Sequence, residues 1–149
     1  MNTKAQIIKA LIINSAYGVK VSINPKAFFQ VDSAKEPLTL LGVDKIHNQV
    51  TVGDEYCQYN GCRIFDLKGN LICKMYLRSL STMTDDEKKE YELLCSNCLE
   101  GGYADYNIRT LDDSQVIFVI DWLYEHHFDF QGWIKLGLAE EAPINLYTE

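Results

Sequence analysis

The sequence predicts an α+β fold: an N-terminal helix, an antiparallel β-meander of four to five strands, and two or three C-terminal helices packed on the sheet. Three observations carry this expectation. Ile7, Ile8, Leu11 and Ile12 recur at helical spacing. Residues 38 to 76 are dominated by short β-patterned runs separated by turn residues, and the pattern changes to helix after Ser81.

The first helix is placed over residues 4–16, with Gly18 after Tyr17 as its stop. Val19 to Ile23 alternates apolar and polar residues, the period-two pattern of a half-buried strand, and Asn24-Pro25 ends it. Residues 38–43 and 49–52 flank a turn near His47-Asn48 and form one hairpin. Residues 62–65 and 71–76 flank Asp66-Leu67-Lys68-Gly69-Asn70 and form another, with Asp66 bonding the turning backbone and Gly69 in the left-handed position. Strand parity puts Leu71, Cys73, Met75 and Leu77 on the core face, and Ile72, Lys74, Tyr76 and Arg78 on the other.

Thr84-Asp85-Asp86-Glu87 is a capping box, in which hydroxyl and carboxylate each take an otherwise orphaned backbone N–H. The acidic first turn also suits the helix dipole. Tyr91, Leu94, Cys95 and Cys98 follow as an apolar stripe, and Gly101-Gly102 ends it. Thr110 to Asp113 starts a second helix running to His126, although the β-branched run Val116 to Ile120 suits a buried strand equally well. Asp129 caps a short last helix carrying Trp133, Ile134 and Leu136, closed by Gly137, and a packed-down tail follows.

At 149 residues, with 47% hydrophobic content and no linker-like composition, the chain is expected to be one domain, 1–149. Lys9 interrupts the early apolar run, so no secretory signal is expected, and no apolar stretch is long enough to span a bilayer. The five cysteines are an odd set, expected to be reduced thiols in a cytoplasm. Cys95-x-x-Cys98 with Cys57 and Cys62 has the ligand types of a zinc site, but three-residue spacing on a helix is equally that of adjacent core positions. Neither a metal nor a cofactor is expected.

The net charge of −7 is unevenly spread. Residues 1–80 carry 10 Lys+Arg against 6 Asp+Glu, and residues 81–149 carry 4 against 15. An acidic total argues against general nucleic-acid binding, which rests on cation–phosphate attraction.

The stretches 38–43, Tyr76 to Ser81 with Met83-Thr84, Asp121-Trp122-Leu123, His126 to Gly132 and Gly137-Leu138-Ala139 together resemble small uncharacterised proteins of gut Bacteroides and of their phages and mobile elements. The resemblance covers about three quarters of the chain. It implies a setting, an accessory gene whose product acts by binding, for instance against a host defence, and it implies no chemistry.

Two clusters are candidate sites. Lys74, Tyr76 and Arg78 place two cations around a ring, an arrangement that holds a phosphate while a base stacks, and Tyr103 and Tyr106, in the glycine-led loop after the capped helix, extend it. The competing reading of this face is a solvated strand, or a dock for the acidic helices. His126-His127-x-Asp129 offers imidazole beside carboxylate, as a hydrolase or metal enzyme requires, but histidines at a helix end and an aspartate cap account for the same residues. Neither a nucleophile elbow nor a phosphate loop occurs. Ser79, Ser81 and Thr82 read as turn formers. The expected function is a non-catalytic accessory protein binding a host protein or a small anionic, nucleotide-like ligand. The alternatives are a small enzyme centred on the histidine pair and a structural virion component.

Overall fold

A computed structural model describes residues 4–24, 37–98 and 113–147. Its elements are α1 (Lys4–Ser15), β1 (Lys20–Ile23), β2 (Leu38–Asp44), β3 (Gln49–Gly53), β4 (Gln58–Arg63), β5 (Cys73–Leu77), a 3-10 turn (Leu80–Thr82), α2 (Asp85–Cys98), α3 (Asp113–Glu125) and β6 (Ala139–Glu141). The six strands form one sheet in the order β4-β3-β2-β1-β5-β6, antiparallel except for the parallel β5–β6 pair. The α+β class, the N-terminal helix, the mostly antiparallel sheet and the later helices are therefore as the sequence predicts. No described helix is long and apolar enough to cross a membrane.

Local chemistry explains the turns. Gly18, at φ +68°, ends α1 in the left-handed region, while the buried Asn14 donates through Nδ2 to the Ala10 carbonyl. Asp44 closes the β2–β3 hairpin by accepting from the backbone of Ile46 and His47. Asp66 Oδ1 accepts from the N–H groups of Lys68 and Asn70, and Gly69 sits at φ +88°. A Cβ at Gly69 would come within 3.1 Å of Lys4 Nζ, which itself lies 5.0 Å from the Phe65 ring centroid. Gly69→Ala is expected to lower stability by about 1 kcal/mol, mostly from the left-handed backbone. A thermal melt of the variant beside the parent measures it.

Where the strands pair is less local. The fourth strand covers 58–63, earlier than the patterned run 62–65, and it does not ladder onto β5. Instead β1 is inserted between β2 and β5, with Val21 opposite Met75 and Ile23 opposite Cys73. Contact across the 66–70 turn is confined to its base, where Phe65 bridges Leu71 and the Ile64 carbonyl accepts from Ile72. The meander is β2-β3-β4, and the sheet is completed by more distant segments.

Two hydrophobic cores result. The first packs Ile7, Ala10 and Leu11 of α1 against Val21, Leu40, Val52, Ile64 and Met75. The second joins the helices through Cys95, Val119, Trp122, Leu123 and Phe128. Fully burying one such side chain contributes about 1.5–3 kcal/mol, so each core is a substantial part of the stability. The ambiguous run 116–120 is helical. Val119, Trp122 and Leu123 are buried, whereas Ile117 and Phe118 remain 67% and 64% exposed, a helical rather than alternating burial pattern.

The segment after Asp129 is a set of hydrogen-bonded turns rather than a helix, with Leu138 donating to the Trp133 carbonyl and Gly137 at φ +74°. From there Ala139–Glu141 joins the sheet as β6 beside Met75, Tyr76 and Leu77.

Candidate functional site

The β5 strand alternates as parity requires: Cys73, Met75 and Leu77 are buried, while Lys74 and Tyr76 are half-buried on the opposite face. Lys74 lies opposite the buried Ser22 of β1, and Tyr76 opposite Glu140 of β6. The Tyr147 hydroxyl sits across this part of the sheet, accepting from the Lys20 N–H at 2.8 Å and donating to the Tyr76 carbonyl at 2.7 Å. Tyr103 and Tyr106, the other two residues expected at this site, lie outside the described residues.

Arg78 is directed elsewhere. Its guanidinium makes a bidentate pair with Glu87, Nη1 to Oε2 at 2.7 Å and Nη2 to Oε1 at 2.6 Å, and lies 4.3 Å from the Phe128 ring centroid. Both side chains of the pair are largely covered, at 14% and 15% exposure. Glu87 also completes the expected capping box: its carboxylate accepts from the Thr84 N–H while its own N–H donates to the Thr84 hydroxyl. The Arg78 guanidinium foremost, then the Thr84 N–H, hold the Glu87 carboxyl down at about 2. The cation read from the sequence as a phosphate contact is thus the link between the slightly cationic sheet half and the anionic helical half. A second link joins the turn after α1 to α3, where the Tyr17 hydroxyl donates to Asp121 and the Tyr17 ring stacks on Tyr124.

The histidine cluster is dispersed by the same geometry. His126 Nδ1 is 2.8 Å from the Trp122 carbonyl, and its ring stacks on Trp122. His127 turns away, at φ +60°, and stacks on Tyr147 with ring centroids 3.9 Å apart. Its Nδ1 is buried with no partner among the described residues. Burial, followed by the repulsion of Arg78, His126 and Lys20, pushes the imidazole down to about 4. Asp129 ties the turns that follow it in place of capping a helix, with Oδ1 accepting from Trp133 N–H at 2.8 Å and Oδ2 from Ile134 N–H at 2.9 Å. No shared point receives both imidazole and carboxylate. Asp129→Ala is expected to cost about 1–2 kcal/mol through the two lost hydrogen bonds to the turn backbone, read as a shift in the urea midpoint at unchanged slope.

Cys62 packs in the sheet core and Cys95 in the helical core, so these two thiols do not share a site. Among the described residues, no group of three or more His, Cys, Asp or Glu is placed to hold a metal ion. Ser79, Ser81 and Thr82 shape the turn before α2, with Thr82 Oγ1 donating to the Ser79 carbonyl at 2.6 Å.

Two grooves flank these elements. Beyond Leu77, where the Ala142 N–H donates to the Leu77 carbonyl, the chains leaving β5 and β6 separate. A groove of about 530 Å³ lies between them, with Arg78, Thr82 and Thr84 on one side and Glu141, Pro143 and Ile144 on the other. A second, of about 340 Å³, lies between α1 and the turns after Asp129. Sequence reasoning passed over both, since each is formed by segments more than fifty residues apart; the stripe Gln6, Lys9, Ala10, Ile13, at helical spacing, is the one local sign of the second.

Compared with family models, with curated proteins and with solved structures, the chain matches none of them.

Proposed function

We propose that this chain is a non-catalytic accessory protein of a phage or mobile element that acts by binding a host protein in the bacterial cytoplasm, for instance to blunt a defence. The setting rests on the sequence resemblance. The choice of a protein partner rests on the Arg78–Glu87 pair: with the guanidinium neutralised, the 530 Å³ groove beside it offers hydroxyls and an apolar rim in place of a bare cation. Ile144 is 92% exposed on that rim, and Leu80 is also exposed. Exposed aliphatic side chains beside hydroxyls and the Glu141 carboxylate suit a protein surface better than a phosphate, which that carboxylate would repel.

The reading is tested by capture from host lysate with the parent and with Ile144→Asp. Because Ile144 has almost nothing to lose on folding, the variant is expected to keep its melting temperature and to lose the captured protein. Equal capture by both would displace the site, and no specific capture from any host of the resembled setting would overturn the reading.

A further inference from the structure

The groove beside α1 departs from the rest of the molecule in charge. The chain carries −7 overall, yet among the described residues no carboxylate lines this groove and the one charged lining residue is Lys9. Lys9 is exposed and has no ion-pair partner among the described residues. Opposite it stand Tyr124 and Trp133, with Ile13 and Leu136 supplying aliphatic surface. The rings are held in place before anything binds. Tyr124 stacks on Tyr17 at 5.4 Å and meets Phe130 edge-on at 5.1 Å. The buried Trp133 donates through Nε1 to Gln131 Oε1 at 2.7 Å, which orients the Gln131 amide with its NH₂ group left to donate.

We infer that this groove binds a small aromatic ring bearing one anionic group. The ring lies against Tyr124 and Trp133, the anion meets Lys9, and the Gln131 amide adds a directed hydrogen bond. At about 340 Å³ the groove stands at the small end of ligand sites, enough for one ring system and not for a dinucleotide. Fixed walls reduce the ordering cost of binding, so a modest ligand suffices. The site is separate from the groove proposed above for a host protein, and neither depends on the other.

Two sources supply this chemistry, an aromatic carboxylate and a nucleoside monophosphate, and separate titrations distinguish them. 4-Hydroxybenzoate and AMP are titrated into the full chain at low salt, with inorganic phosphate alone as the third arm, and followed by calorimetry. One ring-bearing probe is expected to saturate at micromolar to low-millimolar concentration and to bind at least tenfold tighter than phosphate. Lys9→Gln is expected to weaken it at least tenfold. Leu136→Trp, which fills the groove from an exposed turn position, should remove binding, whereas Ile144→Asp should leave it unchanged. The inference is overturned if neither ring-bearing probe saturates, if phosphate binds as well as both, or if Lys9→Gln stays within twofold of the parent.

Discussion

Arg78→Ala is expected to lower the stability by about 3 kcal/mol, the largest loss of any single polar substitution among the described residues. Three contacts go at once: two charge-assisted hydrogen bonds to Glu87, the cation over the Phe128 ring, and the covering of the helical core by the guanidinium stem. Removing one member of a covered pair costs more than the pair contributes, because the other is left desolvated and unpaired. Glu87 stays bonded to Thr84, which limits the damage to less than a fully orphaned carboxylate would bring. Glu87→Gln keeps the size and the cap geometry, so about 1–2 kcal/mol is expected there. Equilibrium urea unfolding of the parent, both single variants and the double variant gives the coupling directly. A coupling below about 0.5 kcal/mol, the level of an ordinary surface pair, would contradict this account. The same pair joins the two cores, so the folding slope with urea should fall in Arg78→Ala if the halves begin to unfold separately.

What the sequence revealed and what it hid follow from range. The capping box at Thr84 and Glu87, the turn at Asp66 to Asn70 and the two faces of β5 are set by residues within a few positions of one another, and all three are present. The 116–120 run was undecided because β-branched residues fit either structure; the decision comes from the packing of Val119 and Leu123 against Cys95, which local pattern does not contain. The insertion of β1 beside β5 joins residues about fifty positions apart, beyond any periodicity argument. Three residues, Ala139-Glu140-Glu141, carry no β signal and become a strand only because β5 offers an edge. At the candidate face, cations and ring were visible, but not that Glu87 would take Arg78. The charge split between the halves was the sign that it could.

Acid should destabilise the protein in two steps. His127 is the upper one: its ordinary value of 6.5 is lowered to about 4 in the fold, so between those limits the unfolded chain binds more protons than the folded one. Its stabilising contribution is complete above about pH 6.5 and is lost as the pH falls to about 4. The full shift corresponds to about 3 kcal/mol, and partial solvent access reduces the expected loss to about 2 kcal/mol. Glu87 is the lower step, since its carboxyl falls from 4.5 to about 2 and its contribution is lost across that interval as pH falls. Asp44 and Asp66, both lowered by hydrogen bonds within their turns, act in the same acidic direction. Urea midpoints at pH 7.5, 4.5 and 2.5 separate the two steps, most of the upper falling between the first two and most of the lower between the last two. His127→Asn tolerates the left-handed backbone and cannot be protonated in this range, so it should flatten the decline between pH 6.5 and 4 while leaving the lower step. The groups that face the imidazole from neighbouring elements, Arg78 after β5 and Lys20 on β1, are cations that oppose its charging. Arg78→Ala should therefore shrink the upper step as well as the lower, a linkage between two otherwise separate measurements. A His127→Asn variant that declines with acid in parallel with the parent would show that the unpartnered Nδ1 is reached by water and that the buried imidazole is not the acid-sensitive group.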